Sequence, residues 1–306
     1  MAHLFGPVPS RRLGLSLGVD LIPPKTCTYD CIYCEVGSTT HQTRKRFVYQ
    51  TETIIAELED YLRDLSQPPD VITLAGSGEP TLNLGIGRII QVLKDISQIP
   101  VAVLTNGALL YLPEVRAELA AADLVLPSLD AAREETYRFI NRPLPELSLD
   151  SLLEGLSALR REYPGKILLE IMLLKGINDT LEELDLLRRA LRKITPDKIQ
   201  LNTAVRPVVE AAARQLNLTE MEAVAAFLGG PVEVIASFNR EDIAELPCQD
   251  EDLVEMLSRR PMTAGDLAKL LGLPLVQVVA RLKRLLDSGR ITHERFHDQE
   301  FYRHQT

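Results

Sequence analysis

Three cysteines lie within eight residues of the chain, at Cys27, Cys31 and Cys34. Their Cys-x3-Cys-x2-Cys spacing can supply three thiolates to a four-iron cluster, whereas iron–sulfur clusters are normally held by four. One iron is then left for a ligand that is not protein, which is typical of a catalytic cluster rather than of an electron carrier. The only other cysteine is Cys248, so the sequence predicts neither a disulfide framework nor a second all-cysteine cluster.

A zinc site is the alternative interpretation of this cysteine triplet. Zinc usually closes a tetrahedron with a second cysteine pair or with histidines farther along the chain. No matching pair follows the triplet, and His41 is the only histidine close behind it. The spacing therefore favours iron–sulfur over zinc.

A second motif, Ala-Gly-Ser-Gly-Glu-Pro, occupies residues 75–80 and directly follows a short apolar segment. Gly76 and Gly78 allow the backbone to turn tightly and to approach a ligand closely. Glu79 then places a carboxylate at the same point. A simple strand-to-helix turn is the alternative, because Gly-x-Gly by itself is common in such turns.

The elements that must position these motifs alternate regularly along the chain. Short apolar runs predict strands at 13–21, 71–75, 101–104, 124–127, 167–174 and 198–201. Apolar residues at helical spacing predict helices near 51–65, 85–96, 114–122, 149–163 and 181–194. Continuous apolar strands between amphipathic helices predict a parallel sheet covered by helices, which right-handed crossovers curl towards a barrel. The predicted fold class is therefore α/β, with a partial (β/α)6 TIM-type barrel.

Polar residues follow several of the predicted strands. The cysteine loop follows the first and Glu79 the second, while Asn106 and Ser128 follow the third and fourth. In such folds the carboxyl ends of the strands share one rim, where the chemistry gathers. We therefore expect these motifs to meet, although Asn106, Asp130 and Asn202 could each be ordinary turn residues.

In these motifs the chain resembles the radical S-adenosylmethionine (SAM) superfamily over residues 10–205. The family's Cys-x3-Cys-x-aromatic-Cys loop is matched by the three cysteines, with Tyr33 as the aromatic residue. Its Gly-Gly-Glu element is matched by Gly78 and Glu79, with Ser77 in place of the first glycine.

Four further segments resemble one branch of this superfamily, namely 9–14, 128–131, 140–143 and 175–179. The branch includes wyosine-type tRNA-modifying enzymes, molybdenum cofactor biosynthesis protein A and the nitrogenase cofactor radical SAM proteins. Wyosine-forming relatives carry extra cysteines for a second cluster, which this chain lacks.

The resemblance implies a [4Fe–4S] cluster on the three cysteines, with SAM bound to the open iron. One-electron cleavage of SAM would give methionine and a 5′-deoxyadenosyl radical, which would take a hydrogen atom from a tRNA base, a cofactor precursor or a protein. It also implies an external electron donor of the flavodoxin or ferredoxin type. The residues assigned to cofactor binding are Tyr33, Gly78, Glu79, Asn106, Ser128, Asp130 and Met172, with Glu79 accepting a hydrogen bond from the SAM ammonium and Asn202 placed on the adenine or substrate side.

The pattern changes near residue 250. Short helices near 253–257, 263–271 and 274–286, followed by an alternating segment at 291–302, resemble a winged helix-turn-helix. The predicted domains are thus a radical SAM barrel at 1–205, an extension and linker at 206–249, and a winged helix-turn-helix-like domain at 250–306. Residues 251–306 hold 9 Lys/Arg and 8 Asp/Glu, a net charge of +1. This is a weak basic footprint, so docking of a protein or RNA is favoured over DNA binding.

A second function remains possible from this tail: an iron–sulfur redox-sensing transcription regulator. Such a sensor would need neither Glu79 nor a barrel, so the enzyme is favoured. Arg11, Arg12 and the basic run at 44–46 form either a solvated face or a site for an anionic substrate. Cys248 is either structural or a thiol donor.

The composition is that of an ordinary globular protein, with 45% hydrophobic and 25% charged residues. The net charge of −9 gives no global basic surface for nucleic acid. No apolar run approaches the roughly twenty residues that span a bilayer, and no signal peptide is visible. We expect a cytoplasmic protein with no membrane partner.

Overall fold

The computed structural model describes residues 3–10, 12–63, 65, 68–235, 249–296 and 298–305. The strands, in chain order, are β1 (Leu4–Ser10), β2 (Gly14–Asp20), β3 (Thr26–Cys27), β4 (His41–Gln42), β5 (Val71–Ala75), β6 (Val101–Thr105), β7 (Leu124–Pro127), β8 (Lys166–Leu173), β9 (Lys198–Thr203), β10 (Val232–Val234), β11 (Met262–Thr263), β12 (Ile291–Phe296) and β13 (Gln299–His304). The helices are α1 (Thr51–Arg63), α2 (Ile86–Ile96), α3 (Pro113–Leu119), α4 (Glu134–Asn141), α5 (Leu149–Glu162), α6 (Leu181–Ile194), α7 (Leu218–Leu228), α8 (Asp250–Arg259), α9 (Ala264–Leu271) and α10 (Leu275–Asp287).

One sheet of eight strands organises the larger part of the molecule. Its order is β1-β2-β5-β6-β7-β8-β9-β10, and every neighbouring pair is parallel except β1 with β2. The six predicted strands are the six from β2 to β9 in this order, so the parallel α/β sheet is confirmed. With β1 and β10 as its two edges, the sheet is consistent with a partial TIM-type barrel.

The structure contains several elements that the sequence did not predict, among them β1, β10 and α4. β1 carries Pro7 and Pro9, which have no N–H to donate and are tolerated because this strand lies at an edge. β10 is three residues long, too short to show a periodic pattern. α4 begins without a side-chain cap, so it lacks the usual sequence signal for the start of a helix.

Alternation along the strands divides the core into an outer and an inner layer. On β5, Ile72 and Leu74 belong to the large core formed with the surrounding helices. Val71 instead joins a small apolar cluster with Ala102, Leu126 and Leu168 from the neighbouring strands. The inner cluster fills the interior of the sheet, which leaves the carboxyl ends of the strands to form the site.

Residues 249–296 and 298–305, called here the C-terminal module, form three helices and an antiparallel sheet ordered β11-β13-β12. Thr263 caps α9 by accepting a hydrogen bond from the Asp266 N–H at 3.0 Å, and Gly272 closes that helix with a positive φ of 64°. The core of the module contains Leu253, Leu257, Leu267, Leu270, Val278 and Leu282, and it also takes in Val8 of β1. The module is therefore packed against the edge of the large sheet.

No helix among the residues that the structure describes is long and apolar enough to span a bilayer.

A buried leucine and an exposed leucine of the module give a matched test of this packing. Leu267 is 0% exposed, whereas Leu275 is 54% exposed. We expect Leu267→Ala to lower the free energy of unfolding by about 2 to 5 kcal/mol, because it leaves a cavity. Leu275→Ala should change it by about 0.5 kcal/mol or less. Urea denaturation of both variants measures the difference, and equal effects would contradict the packing described.

Candidate active site

The cysteine loop is fastened to the carboxyl end of α4. The Ile32 N–H donates to the Ile140 carbonyl at 2.9 Å, and the Asp30 N–H donates to the Asn141 carbonyl at 3.1 Å. The Ile32 side chain, between Cys31 and Cys34, is almost fully buried. The loop is thus held by backbone hydrogen bonds and by one apolar anchor, and its three cysteines line a cavity.

The three thiols do not ionise readily in this environment. Burial, followed by the negative charge of Glu79, raises the pKa of the Cys27 thiol to about 12. Burial is also the main cause that raises the pKa values of Cys31 and Cys34. Thiolates here need a compensating cation, and a coordinating metal deprotonates a thiol outright.

The arrangement of the donors fits a cluster better than a single ion. Among the residues that the structure describes, no group of three His, Cys, Asp or Glu side chains is placed to hold one metal ion. Zinc requires such convergence. In a four-iron cluster each cysteine instead ligates a different iron, so Cys27, Cys31 and Cys34 need not converge on one point. The donor set therefore fits a [4Fe–4S] cluster.

A loop of two glycines and a serine, Gly76-Ser77-Gly78 (the glycine loop), is joined to the segment that precedes the cysteines. The Glu79 N–H donates to the Thr26 carbonyl at 3.1 Å, and the Lys25 N–H donates to the Ser77 carbonyl at 2.6 Å. A Cβ added to Gly78 would lie 2.0 Å from the Thr26 carbonyl oxygen. Only glycine fits at residue 78, because the two backbones meet there.

Glu79 is only 2% exposed, and hydrogen bonds to both carboxylate oxygens hold its side chain in one orientation. Its Oε1 accepts from Thr81 Oγ1 at 2.5 Å and from Thr105 Oγ1 at 2.7 Å. Its Oε2 accepts from the Asn106 N–H at 2.8 Å. Burial raises the pKa of Glu79, while the hydrogen bonds from Thr105 and Thr81 lower it. Oε2 accepts fewer hydrogen bonds than Oε1, so it can accept one more.

The Asn106 side chain is oriented towards the first cysteine. Its Oδ1 accepts from the Ala108 N–H at 2.9 Å, which fixes the amide orientation. Its Nδ2 then donates to Thr28 Oγ1 at 2.7 Å and lies 3.4 Å from Cys27 Sγ. Asn106 thus contributes an N–H group beside the Cys27 sulfur.

Asp130 lies behind the cavity wall rather than on it. One carboxylate oxygen accepts from the Tyr33 hydroxyl and from Asn141 Nδ2, both at 2.6 Å, and the other accepts from the Met172 N–H at 2.9 Å. Burial raises the pKa of Asp130 to about 6 in spite of these hydrogen bonds. Asp130 is positioned to hold Tyr33 and Asn141, and direct contact with SAM remains only a prediction for it.

Asn141 is a site residue that sequence reasoning missed. Its Nδ2 lies 3.5 Å from Cys31 Sγ in addition to donating to Asp130. The sequence Ile-Asn-Arg-Pro at 140–143 was noted only as a branch resemblance, because nothing local shows that α4 ends beside the cysteine loop.

One cavity of about 270 Å³ brings most of the predicted site residues together. Its wall includes Cys27, Cys31, Cys34, Tyr33, Gly78, Glu79, Asn106 and Ser128, together with Lys25 and Glu170, which were not assigned to cofactor binding. A neighbouring cavity of about 220 Å³ shares Tyr33, Cys34 and Glu170 and contains Met172 and Asn202. The site is therefore two adjoining spaces, with Met172 on the second.

The basic residues considered in the sequence separate into two environments. Arg12 lines the smaller cavity and forms an ion pair with Glu170. Arg46 instead pairs with Glu118 of α3 and donates to the Thr81 carbonyl at 2.8 Å, so it supports the fold away from the cavity. Arg11 and Cys248 lie outside the residues that the structure describes.

Comparison with known proteins identifies the family of this chain. Residues 21–189 match the model of the Radical SAM superfamily. The chain is 31% identical over 309 residues to a UPF0026 protein of Methanocaldococcus jannaschii, covering 99% of this chain and 96% of that protein. The chain therefore belongs to the radical SAM superfamily. Proteins of this superfamily are enzymes that use a [4Fe–4S] cluster and SAM.

Two further likenesses are more limited. The chain is 40% identical over 297 residues to a protein of Brachyspira hyodysenteriae named GTPase Obg, covering 95% of this chain but only 44% of that longer protein. The solved structure of TYW1 with a lysine-pyruvate adduct superimposes with a TM-score of 0.52 at 19% identity, covering 73% of this chain and 75% of that one. This structural likeness shows the fold alone.

The close approach at Gly78 gives a direct test of the site. In Gly78→Ala the new methyl group would meet the Thr26 carbonyl, so we expect the two loops to separate, with less iron retained and SAM bound at least tenfold more weakly. In the control Gly265→Ala the nearest atom lies 3.7 Å from the added Cβ, and iron content and SAM affinity should stay native. Iron analysis and calorimetry measure both, and native behaviour of Gly78→Ala would contradict the contact.

The amide beside Cys27 should tune the cluster. A hydrogen bond to a ligating sulfur stabilises the reduced, more negative cluster, and such hydrogen bonds help to set reduction potentials. We expect Asn106→Ala to lower the midpoint potential by about 59 mV, which corresponds to a tenfold change in the equilibrium constant of a one-electron reduction. Gln91→Ala, an exposed amide on α2, serves as the control. An unchanged or higher potential in an EPR-monitored titration of Asn106→Ala would show that this N–H does not act on the cluster.

Proposed function

We propose that this protein cleaves SAM reductively at a [4Fe–4S] cluster held by Cys27, Cys31 and Cys34, and directs the resulting radical at a substrate. The observation that supports this most strongly is that the three cysteines and Glu79 share one cavity at the carboxyl ends of the parallel strands. Cys27, Cys31 and Cys34 would hold the cluster, which together with SAM would supply one-electron cleavage of SAM to methionine and a 5′-deoxyadenosyl radical for hydrogen abstraction from the substrate.

The residues around the cavity supply binding and orientation. Oε2 of Glu79 accepts a charge-assisted hydrogen bond from the SAM ammonium, since Oε1 is already used by Thr81 and Thr105. Ser128 and Asn106 add polar groups to the same wall. Tyr33 is fixed by its hydrogen bond to Asp130, so the aromatic residue of the cysteine loop keeps one position.

The adjoining cavity is where we place the substrate. Met172 and Asn202 line it, and two ion pairs cross it, Arg12 with Glu170 and Arg206 with Glu35. The candidates are a tRNA base, a cofactor precursor or a protein. The reducing electron comes from an external donor of the flavodoxin or ferredoxin type.

We further propose that the C-terminal module is a winged helix-turn-helix used for docking. Its elements follow the order α8, β11, α9, α10, β12, β13. On α10, Leu275, Val276 and Val279 are exposed, an apolar surface that favours a protein over DNA, while RNA stays possible. We propose domain boundaries at residues 205 and 249, with α7 of the extension packed on the large sheet and β10 paired to its edge. The alternative of a redox-sensing transcription regulator gains no support from the comparisons.

Anaerobic reconstitution tests the enzymatic proposal. With iron, sulfide, SAM and dithionite, the native protein should form 5′-deoxyadenosine and methionine. Cys31→Ala should lose the brown colour and the product together. Glu79→Gln should keep the cluster but bind SAM about tenfold more weakly, because it loses the charge of one hydrogen bond. Glu222→Gln, an exposed residue on α7, is the matched control. A native protein that carries its cluster but forms no 5′-deoxyadenosine would refute the proposal.

A further inference from the structure

The C-terminal module reaches the active-site end of the large sheet through one arginine. Arg259, the last residue of α8, forms an ion pair with Asp20, the last residue of β2. Its guanidinium carbon also lies 5.1 Å from the centre of the Phe5 ring of β1. The module is thus joined to the two strands that precede the cysteine loop by charge as well as by apolar packing.

Asp20 lies between this arginine and the glycine loop. The carboxylate is 3% exposed, and its Oδ1 accepts from the Ser77 N–H at 3.0 Å. A Cβ on Gly76, whose φ is +131°, would lie 1.6 Å from the same oxygen. The carboxylate therefore contacts the loop that precedes Glu79 directly. A movement of the Asp20 side chain would move that loop.

The same two parts of the molecule enclose a cavity of about 270 Å³. Met256, Arg259 and Met262 of the module form one side, and Gly76 and Ser77 of the glycine loop lie on the other. This cavity adjoins the one that holds the cysteines at the glycine loop, since Gly76 and Ser77 line both. Only one layer of residues, the glycine loop, lies between the module residues of this cavity and the proposed SAM site.

We propose that Arg259 is a positioning residue for SAM binding. It compensates the buried charge of Asp20, and Asp20 in turn fixes the glycine loop and so the carboxylate of Glu79. Removing one partner of a buried ion pair leaves the other charge uncompensated, so without Arg259 the Asp20 side chain turns towards water and releases Ser77. The inference rests on the proposed SAM site and adds that the C-terminal module sets the affinity of that site.

The first test compares two arginines of the same module. Arg259→Met removes the charge that faces Asp20, whereas Arg290→Met removes one that pairs with exposed Glu251. SAM dissociation constants are measured by calorimetry on the reconstituted proteins, and the SAM-induced change in the EPR spectrum of the reduced cluster is recorded. We expect Arg259→Met to bind SAM about tenfold more weakly, within the range of couplings between contacting residues, with the iron content unchanged. Arg290→Met should match the native protein.

A double-mutant cycle then separates positioning from a general loss of stability. Asp20→Asn keeps the shape of the side chain and removes its charge, so it should weaken SAM binding by itself. If Arg259 acts through Asp20, the double variant Asp20→Asn/Arg259→Met should bind SAM no worse than the weaker single variant, and Arg259→Lys should restore part of the affinity. Additive losses, or no recovery with lysine, would overturn the proposal.

The remaining outcomes are also decisive. If Arg259→Met retains too little cluster to be measured, Asp20→Asn still tests the link, and native SAM affinity in that variant would overturn it. Native SAM affinity and an unchanged EPR spectrum in Arg259→Met would refute the role of Arg259 and leave the proposed function standing. A native protein that binds no SAM would refute both.

Discussion

The site depends on one backbone contact, the hydrogen bond from the Glu79 N–H to the Thr26 carbonyl. Asp20 and Ala75 are register partners in neighbouring parallel strands, so the two loops leave the sheet side by side. The missing side chain of Gly78 then lets the backbones touch, and the carboxylate comes to the cavity that holds Cys27. Sheet register and a single glycine thus bring together the cysteine loop and the loop that leads to Glu79, which are distant in sequence, to form one site.

The same contact places charged groups where water is scarce, and the surrounding network is arranged to compensate. Glu79 is satisfied by two hydroxyls and by backbone N–H groups, and Asp130 by a hydroxyl, an amide and a backbone N–H. Buried polar groups are costly unless they are paired, and fully paired networks are rigid. The thiols are compensated less fully: Asn106 and Asn141 place N–H groups near Cys27 and Cys31, yet burial still raises the thiol pKa values. A coordinated metal would compensate three such sulfurs.

Sequence reasoning indicated the family and the parallel sheet because those signals were local. The cysteine spacing, the glycine loop with Glu79 and the apolar strands are each contained in fewer than ten residues, and the parallel sheet follows from their alternation. What it could not provide depended on contacts between distant segments. Asn106 and Asp130 have the same appearance in sequence, a polar residue after a strand, yet one faces Cys27 and the other is buried behind Tyr33. Asn141 and the Arg259–Asp20 pair carry no local pattern, so only the assembled fold reveals them.

The open edge of the sheet explains why the C-terminal module lies close to the active site. β1 has prolines at 7 and 9, which cannot donate hydrogen bonds to a further strand and so protect this edge from strand addition. The module covers the edge with side chains by taking Val8 into its own core. Because β2 pairs with β1 and ends at Asp20, a module packed on β1 lies close to the start of the cysteine loop. Covering an edge strand and reaching the glycine loop are thus two consequences of one packing arrangement.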